Sequence, residues 1–406
     1  MVRRSPAAPE RAGKVRVYAR RVEKPFTAPG IAAASTGRAQ PGVPAEIEID
    51  PDIRIAWTLP ARFYSDPATF DRCRERIFVR SWQLIGDTDS VKVPGQVQPV
   101  TLLEGLLGEP LLLTRDQHDT VRCLSNVCTH RGNLLCTAPG FEKHLTCRYH
   151  GRRFHLDGAL SHMPEFEQAR GFPAASDDLP AVPFGAWGKF IFASLAPPCP
   201  LEELLAPLKE RVGWLPLHEF TFDPTRSRDY LVHANWALYC DNYLEGFHIP
   251  FVHAGLNEVI DYGSYATELQ RWSNLQLGLA RGGEQAFDLP PGSPDAGRRV
   301  AAYYYWLYPN TMVNLYPWGA SINIVQPLAV DRTKVAFRSY VWKPELLERG
   351  AGALSALDRV EREDEAIVES VQQGVRSRLY ERGRYSPTRE QGVHHFHRLL
   401  AEALAG

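Results

Sequence analysis

Apolar positions along this chain recur first at helical spacing and then in short alternating runs. After Ser65-Asp66-Pro67, which reads as an N-cap and first helical turn, Phe70, Cys73, Ile77 and Phe78 keep one face of a helix apolar. From about Trp82 to Leu195 the pattern becomes β-type segments between turns, among them LLLTRD, RRFHLDG with its Asp157-Gly158 turn, and WGKFIFASL. A small all-β domain is expected there. The Pro-rich stretch APPCP at 196–200 breaks the pattern.

Beyond the break, RDYLVHANWALY reads as a strand and DNYLEGFHIPFVH as a helical stretch. The run from Ala301 to Trp342 reads as a three-stranded meander with turns at Pro309-Asn310, Pro317–Gly319 and Asp331–Thr333. GGEQAFDLPPGSPDAGRR, just before it, is a Gly/Pro-rich loop of the kind that often borders a functional site. A long helix is expected from about Leu354 to Arg378. In it Leu357, Val360, Ile367, Val368, Val371 and Val375 form an inward stripe.

The pattern predicts an α+β protein with four parts: a basic, disordered extension over 1–47, a helical segment over 48–80, the all-β domain over 81–196 and a mixed domain over 197–406. The extension is rich in Arg, Ala and Pro and poor in acids, a composition shared by organelle transit peptides. With 44% hydrophobic and 23% charged residues, the 406-residue chain is ordinary for a globular protein. Its net charge of -1 offers no field for nucleic acid or anionic membrane, and no apolar run reaches the roughly 18 residues of a membrane span. Seven cysteines without a signal peptide suit a reducing cytoplasm better than a disulfide framework.

Two constellations carry chemistry. Cys128-x-His130 and Cys147-x-x-His150 are half-sites separated by 16 residues, each followed by a glycine, Gly132 and Gly151. A structural zinc site could use four such ligands, but common Cys2His2 zinc sites place both cysteines before both histidines. Here each loop supplies one of each, as in a Rieske [2Fe-2S] cluster, where two cysteines hold one iron and two histidines the other. Cys136 lies outside both half-sites and is expected to be a buried apolar residue.

A Rieske centre moves single electrons, and DNYLEGFHIPFVH offers them a destination. On a helix Glu245 and His248 would share a face, and Pro250 would end or kink that helix so that His253 returns beside His248. Two histidines and a carboxylate form the facial triad of non-haem Fe(II) oxygenases. Asp364, in the middle of the inward stripe of the late helix, is the expected third ligand because an unpaired inward carboxylate is costly. Glu361 is the alternative, while Glu363 and Glu365 are expected to face solvent.

The chain resembles the α (oxygenase) subunits of Rieske non-haem iron aromatic-ring-hydroxylating oxygenases, in the branch of choline monooxygenase-like proteins. The likeness runs over roughly residues 55–400, through CTHRGN, CRYHGRRF, NWALYCDNYLEGFHIPFVH, YPNTMVNLYPWG and REDEAIVESVQQG. It implies a Rieske β-domain joined to a helix-grip catalytic domain, a homotrimer in which the cluster of one chain serves the iron of the next, and a bridging carboxylate at Glu245. It also implies a terminal oxygenase that uses O2 to hydroxylate, dihydroxylate or dealkylate a small molecule.

One departure is Arg152-Arg153 where many relatives carry tryptophan after the glycine. Ion pairing or a basic docking surface for an acidic ferredoxin or reductase would account for it. No G-x-G-x-x-G fingerprint follows a strand, so NAD(P)H oxidation belongs to a separate ferredoxin or flavin reductase. An aromatic cage from Trp272, Tyr303 to Trp306 and Trp318 could hold a quaternary ammonium, although strand aromatics are usually core. Rival readings are a Rieske electron carrier and a helix-grip ligand-binding protein, for both of which His248, His253 and Asp364 would be dispensable.

Overall fold

The computed structural model describes residues 47–253, 266–347 and 354–405. The expected extension over 1–47 lies almost wholly outside them. The first regular helix, α1 (Pro67–Cys73), begins as the sequence indicates, with the Asp66 carboxylate accepting from the backbone of Ala68 and Thr69 and Pro67 in the first turn. Its apolar residues do not form a separate layer. Phe63, Cys73, Ile77 and Phe78 share one core with Trp236, Val368, Phe396 and Leu400 from far along the chain.

The small domain holds ten strands: β1 (Gln83–Asp87), β2 (Gln96–Leu102), β3 (Glu109–Arg115), β4 (Val121–Ser125), β5 (Gly140–Phe141), β6 (Leu145–Thr146), β7 (Arg153–Phe154), β8 (Leu160–His162), β9 (Phe184–Trp187) and β10 (Phe190–Ala193). They pair in the orders β4-β3-β2-β5, β6-β7-β8 and β1-β10-β9. The sheet of β6, β7 and β8 and the loop after β4 enclose a core of Leu112, Leu124, Leu145, Phe154 and Leu156, which also includes Cys128 and Cys147.

After α2 (Leu201–Val212) the second domain is a seven-stranded antiparallel sheet, ordered β11-β17-β16-β15-β14-β13-β12. Its strands are β11 (Thr221–Val232), β12 (Ala266–Leu269), β13 (Ser273–Leu279), β14 (Val300–Leu307), β15 (Thr311–Tyr316), β16 (Gly319–Ala329) and β17 (Arg332–Val341). The expected meander thus has four strands, because Pro309-Asn310, Pro317–Gly319 and Asp331 each turn the chain through a hairpin. The helices are α3 (Trp236–Tyr243), α4 (Ile249–Val252), α5 (Leu354–Gly374) and α6 (Gln391–Ala405).

The two faces of this sheet differ in chemistry. Tyr303, Tyr305, Val313, Leu315 and Ile322 pack with α2 residues and with Trp82, Phe190 and Phe192 of the small domain. The two domains therefore share one apolar core, reinforced where Gln83 donates to Asn310 at 3.0 Å. On the opposite face the alternating register brings Gln276, Tyr304, Asn314 and Ser321 into one row across β13 to β16. Tyr243 at the end of α3 reaches this row, donating to Asn314 Oδ1 at 2.7 Å and accepting from Gln276 through its carbonyl at 2.6 Å.

α5 is held by polar groups rather than by the stripe its periodicity predicts. Val368 and Val375 are buried, but Ile367 and Val371 are exposed, and the side chain of Leu357 lies outside the described residues. The buried face runs instead through Glu361, Asp364, Val368 and Gln372. Tyr239 donates to Glu361 at 2.7 Å, Asn242 to Asp364 at 2.7 Å, and the Asn235 amide to Gln372 at 2.7 Å. Each contact satisfies a group that would be costly to bury alone.

Candidate active site

The first ligand loop follows β4 and the second turns between β6 and β7, and their backbones repeat one pattern. The Gly132 amide donates to the Cys128 carbonyl and the Gly151 amide to the Cys147 carbonyl, both at 3.0 Å. Gly132 and Gly151 have φ of 74° and 76°, a left-handed conformation that strains other residues. These turns bury both cysteines and bring the His130 and His150 rings to 4.8 Å between centroids, with His150 at the surface.

The chemistry of the donors fits an iron–sulfur cluster. His130 Nδ1 is buried and has no hydrogen-bond partner, the situation of a nitrogen reserved for a metal. Burial, followed by the positive neighbours His150, Arg152 and Arg131, holds the His130 imidazole below its ordinary range, in the neutral form that ligates. Burial opposes the Cys147 thiolate, but the backbone N–H groups of Tyr149 and His150 outweigh it and pull that thiol down. The expectation for Cys136 agrees with its buried position, where it is tied through its backbone to Asn126.

The second constellation converges without the helix that the sequence suggests. α3 starts already at Trp236, capped by Asn235, and ends at Tyr243, so Glu245 and His248 lie in the turn that follows. Pro250 sits in the first turn of α4, where the missing N–H costs nothing, and His253 caps that helix. The break comes at residues 244–248, and it still brings the His248 and His253 rings to 5.1 Å.

Asp364 enters from α5. Its Oδ1 lies 2.9 Å from His253 Nε2 and 3.5 Å from His248 Nε2, and one ligand atom from each of the three residues falls within 4.8 Å of the others. On the far side of each ring a carboxylate holds Nδ1: Glu245 Oε1 at 2.7 Å for His248 and Glu363 Oε2 at 2.7 Å for His253. With Nδ1–H donating outward, both Nε2 atoms are turned toward Asp364, the arrangement that ligation through Nε2 requires. Two imidazoles and one carboxylate on one side of a centre suit Fe(II) with open positions. Without a metal, burial disfavours the charged imidazole of His253, but the hydrogen bonds that it donates to the Asp364 and Glu363 carboxylates outweigh it and raise its proton affinity.

Several sequence expectations change here. Glu363 does not simply face solvent: though 36% exposed, its carboxylate binds His253, because α5 brings two neighbouring acids within reach of that ring. Glu361 is buried against Tyr239, and its carboxyl is pushed well above the usual range by burial, so it does not join the triad. Arg152 is 2% exposed and cannot form a docking surface, whereas Arg153 is exposed. Trp272, Tyr303, Tyr305 and Trp306 do not form a cage: Trp306 packs against Phe396, Tyr303 donates to Asp295, and the Trp272 ring is covered by Arg271. Trp318 stacks on Tyr316, with Arg226 across it. The sequence signal that could have found Glu363 is its adjacency to Asp364.

Comparison with known proteins agrees with both constellations. Residues 81–173 match the Rieske [2Fe-2S] domain family and residues 214–406 the ring hydroxylating α subunit catalytic domain. The chain is 32% identical to the chloroplastic choline monooxygenase of Arabidopsis thaliana, over 87% of this chain and 85% of that protein. It is 31% identical to the carnitine monooxygenase oxygenase subunit of Escherichia coli K12, over 86% of this chain and 94% of that one. The fold superposes on the quaternary ammonium Rieske monooxygenase CntA with a TM-score of 0.71 at 24% identity, covering 88% and 99% of the two chains. Naphthalene 1,2-dioxygenase from Rhodococcus sp. gives 0.65 at 19% identity, covering 85% and 93%. Two family matches in order along one chain, with relatives alike over nearly their whole length, establish that this protein belongs to the α subunits of the Rieske non-haem iron ring-hydroxylating oxygenases, O2-using enzymes that carry a [2Fe-2S] cluster and a mononuclear iron.

Proposed function

We propose that this terminal oxygenase hydroxylates a small quaternary ammonium compound. One oxygen atom of O2 enters a C–H bond and the other leaves as water, with two electrons and two protons consumed. The relatives named for choline and carnitine support that substrate class. So do the carboxylates of Glu363 and Asp364, which α5 brings to the site and which favour a cation nearby. The sheet face reached by Tyr243 carries Gln276, Asn314 and Ser321 between Tyr304 and Tyr316, a lining better suited to a small polar molecule than to a hydrocarbon.

In this reading Cys128, His130, Cys147 and His150 hold the cluster, and His248, His253 and Asp364 hold Fe(II). The cluster supplies single electrons and the iron supplies O2 activation. Glu363 and Glu245 orient the two imidazoles. Glu245 has a second task as the bridge to a neighbouring subunit: its Oε2 accepts from the His248 amide at 3.1 Å and from the Phe247 amide, which fixes the carboxylate beside the exposed rings of Phe247 and Phe251. The small domain exposes Tyr149 next to His150, with ring centroids 3.7 Å apart. Exposed aromatic groups at both electron-transfer ends support assembly into a homotrimer.

Enzymes of this family take electrons from a separate reductase or ferredoxin and work as multimers. A ferredoxin or flavin reductase is the donor we assign. Residues 48–80 belong to the catalytic core, 81–196 form the Rieske domain and 197–406 the catalytic domain. All seven cysteines are free of disulfides, which supports a cytoplasmic location, and no helix among the described residues is long and apolar enough to cross a membrane.

The observation that carries the reading is the convergence of two Nε2 atoms on Asp364, each ring backed by a carboxylate. The test is O2 uptake and product analysis with reduced protein given choline, L-carnitine, γ-butyrobetaine or indole. Turnover with a trimethylammonium compound and none with indole is expected; the reverse preference would sink the substrate class.

A further inference from the structure

We propose that Arg152 tunes the reduction potential of the Rieske cluster, its buried positive charge favouring the reduced form. The proposal rests on the assignment of that cluster to Cys128, His130, Cys147 and His150. Arg152 follows His150 and Gly151 directly. With only 2% of its side chain exposed, it is among the largest fully buried side chains of the molecule.

A buried guanidinium needs compensation. Arg152 Nη2 donates to Asp177 Oδ1 at 2.7 Å and to the Asp177 carbonyl at 2.9 Å, and the rings of Phe154 and Phe172 each lie 5.6 Å from its guanidinium carbon. Those contacts also tie it to both ligand loops. The carbonyl of Arg152 accepts from the Cys147 amide at 2.8 Å. The Asp177 carbonyl that receives Arg152 also receives Thr129 Oγ1 at 2.7 Å, and Thr129 lies between Cys128 and His130. Arg152 thus sits where the two loops meet, and its Nε is buried with no hydrogen-bond partner.

The surroundings keep its field strong. Phe172 packs on Phe166, which packs on His130 at 5.5 Å, so half-buried aromatic rings line this side of the loops. The counter-ion is placed differently: the Asp177 side chain is 22% exposed and its other oxygen accepts from the Ala174 amide at 2.9 Å. Water screens the carboxylate more than the guanidinium, and a net positive field remains at the loops. When the reductase delivers one electron, one ferric ion becomes ferrous and the site gains one negative charge, which a nearby fixed cation stabilises.

The experiment is a redox titration of the Rieske signal by EPR or circular dichroism, with acid-labile sulfide measured on each sample. Arg152→Gln is expected to keep its sulfide and to lower the potential by at least about 59 mV, tenfold in the one-electron equilibrium. Arg152→Lys, which keeps the charge, should stay nearest the unaltered chain. Asp177→Asn leaves the arginine without its counter-charge and should raise the potential, and it remains informative if Arg152→Gln cannot hold a cluster. A mere structural clamp would not give shifts of opposite sign. Sulfide-replete variants whose potentials do not move, or fall together, would overturn the role of Arg152 alone. Absence of sulfide from the unaltered chain would instead overturn the cluster assignment and this proposal with it.

Discussion

The two metal-site candidates are built in opposite ways. At the Rieske loops, four donors lie within one short stretch, from Cys128 to His150, and two glycine turns of nearly equal φ shape both half-sites. At the mononuclear site, His253 and Asp364 are 111 residues apart, and Asp364 reaches the histidines only because α5 packs against α3. The first site needs local backbone geometry; the second needs the tertiary fold. The mononuclear site therefore depends more on the residues behind its ligands, Glu245 for His248 and Glu363 for His253.

That contrast can be broken most directly at its ends. Asp364→Ala is expected to abolish O2-dependent turnover and to remove the mononuclear iron while the Rieske spectrum and sulfide content stay intact; iron and sulfide analysis with O2 uptake checks it. Cys147→Ser should do the converse, losing labile sulfide but retaining an iron at the histidines. Loss of both metals in either variant would mean that the two sites are not independent.

Smaller changes sharpen the comparison. Glu245→Gln should keep both metals yet lower turnover by about 10²-fold, because it disturbs the carboxylate that we propose joins a ligand to its electron source. Glu363→Ala should weaken iron binding by about 10–100-fold, the usual effect of removing the partner of a ligating histidine, with no change in the Rieske signal. A chelator competition on the reduced protein reads this directly, and unchanged affinity would show that His253 needs no orienting partner.

The smallest expected effect concerns Glu361. Burial raises its folded-state pKa well above the ordinary carboxylate value, and its Oε1 has no partner. Above that ordinary value the unfolded chain releases the proton while the folded chain keeps it, so this group costs increasing stability as pH rises towards its folded pKa. Glu361→Gln removes the cost. Its melting temperature should exceed that of the unaltered chain by about 2–4 °C near pH 8, and by less near pH 5. An advantage larger at pH 5 would contradict a neutral, buried Glu361.

Much of this was legible in the chain alone. The alternation of cysteine and histidine in two glycine-closed loops pointed to the donors we assign to the cluster, because they are neighbours in sequence and their spacing is itself the geometry. The grouping of His248, His253 and Asp364 was also expected, from residue type and from the position of an acid within an apolar period. What periodicity could not supply was orientation. Ile367 and Val371 obeyed helical spacing yet lie exposed, while Glu361 and Gln372 are buried, because the partner surface of α5 is a set of hydrogen-bonding groups from α3 and β11 and not an apolar layer.

Tertiary structure alone decided the rest. It made Glu363 a partner of His253, buried Arg152 beside the cluster loops, and turned the aromatic residues of β14 alternately toward the core shared with the small domain and toward the opposite face. Each of these depends on which element packs against which, through contacts between residues far apart in sequence. Local pattern encodes which residues lie on one face of a helix or strand; only packing determines what that face meets.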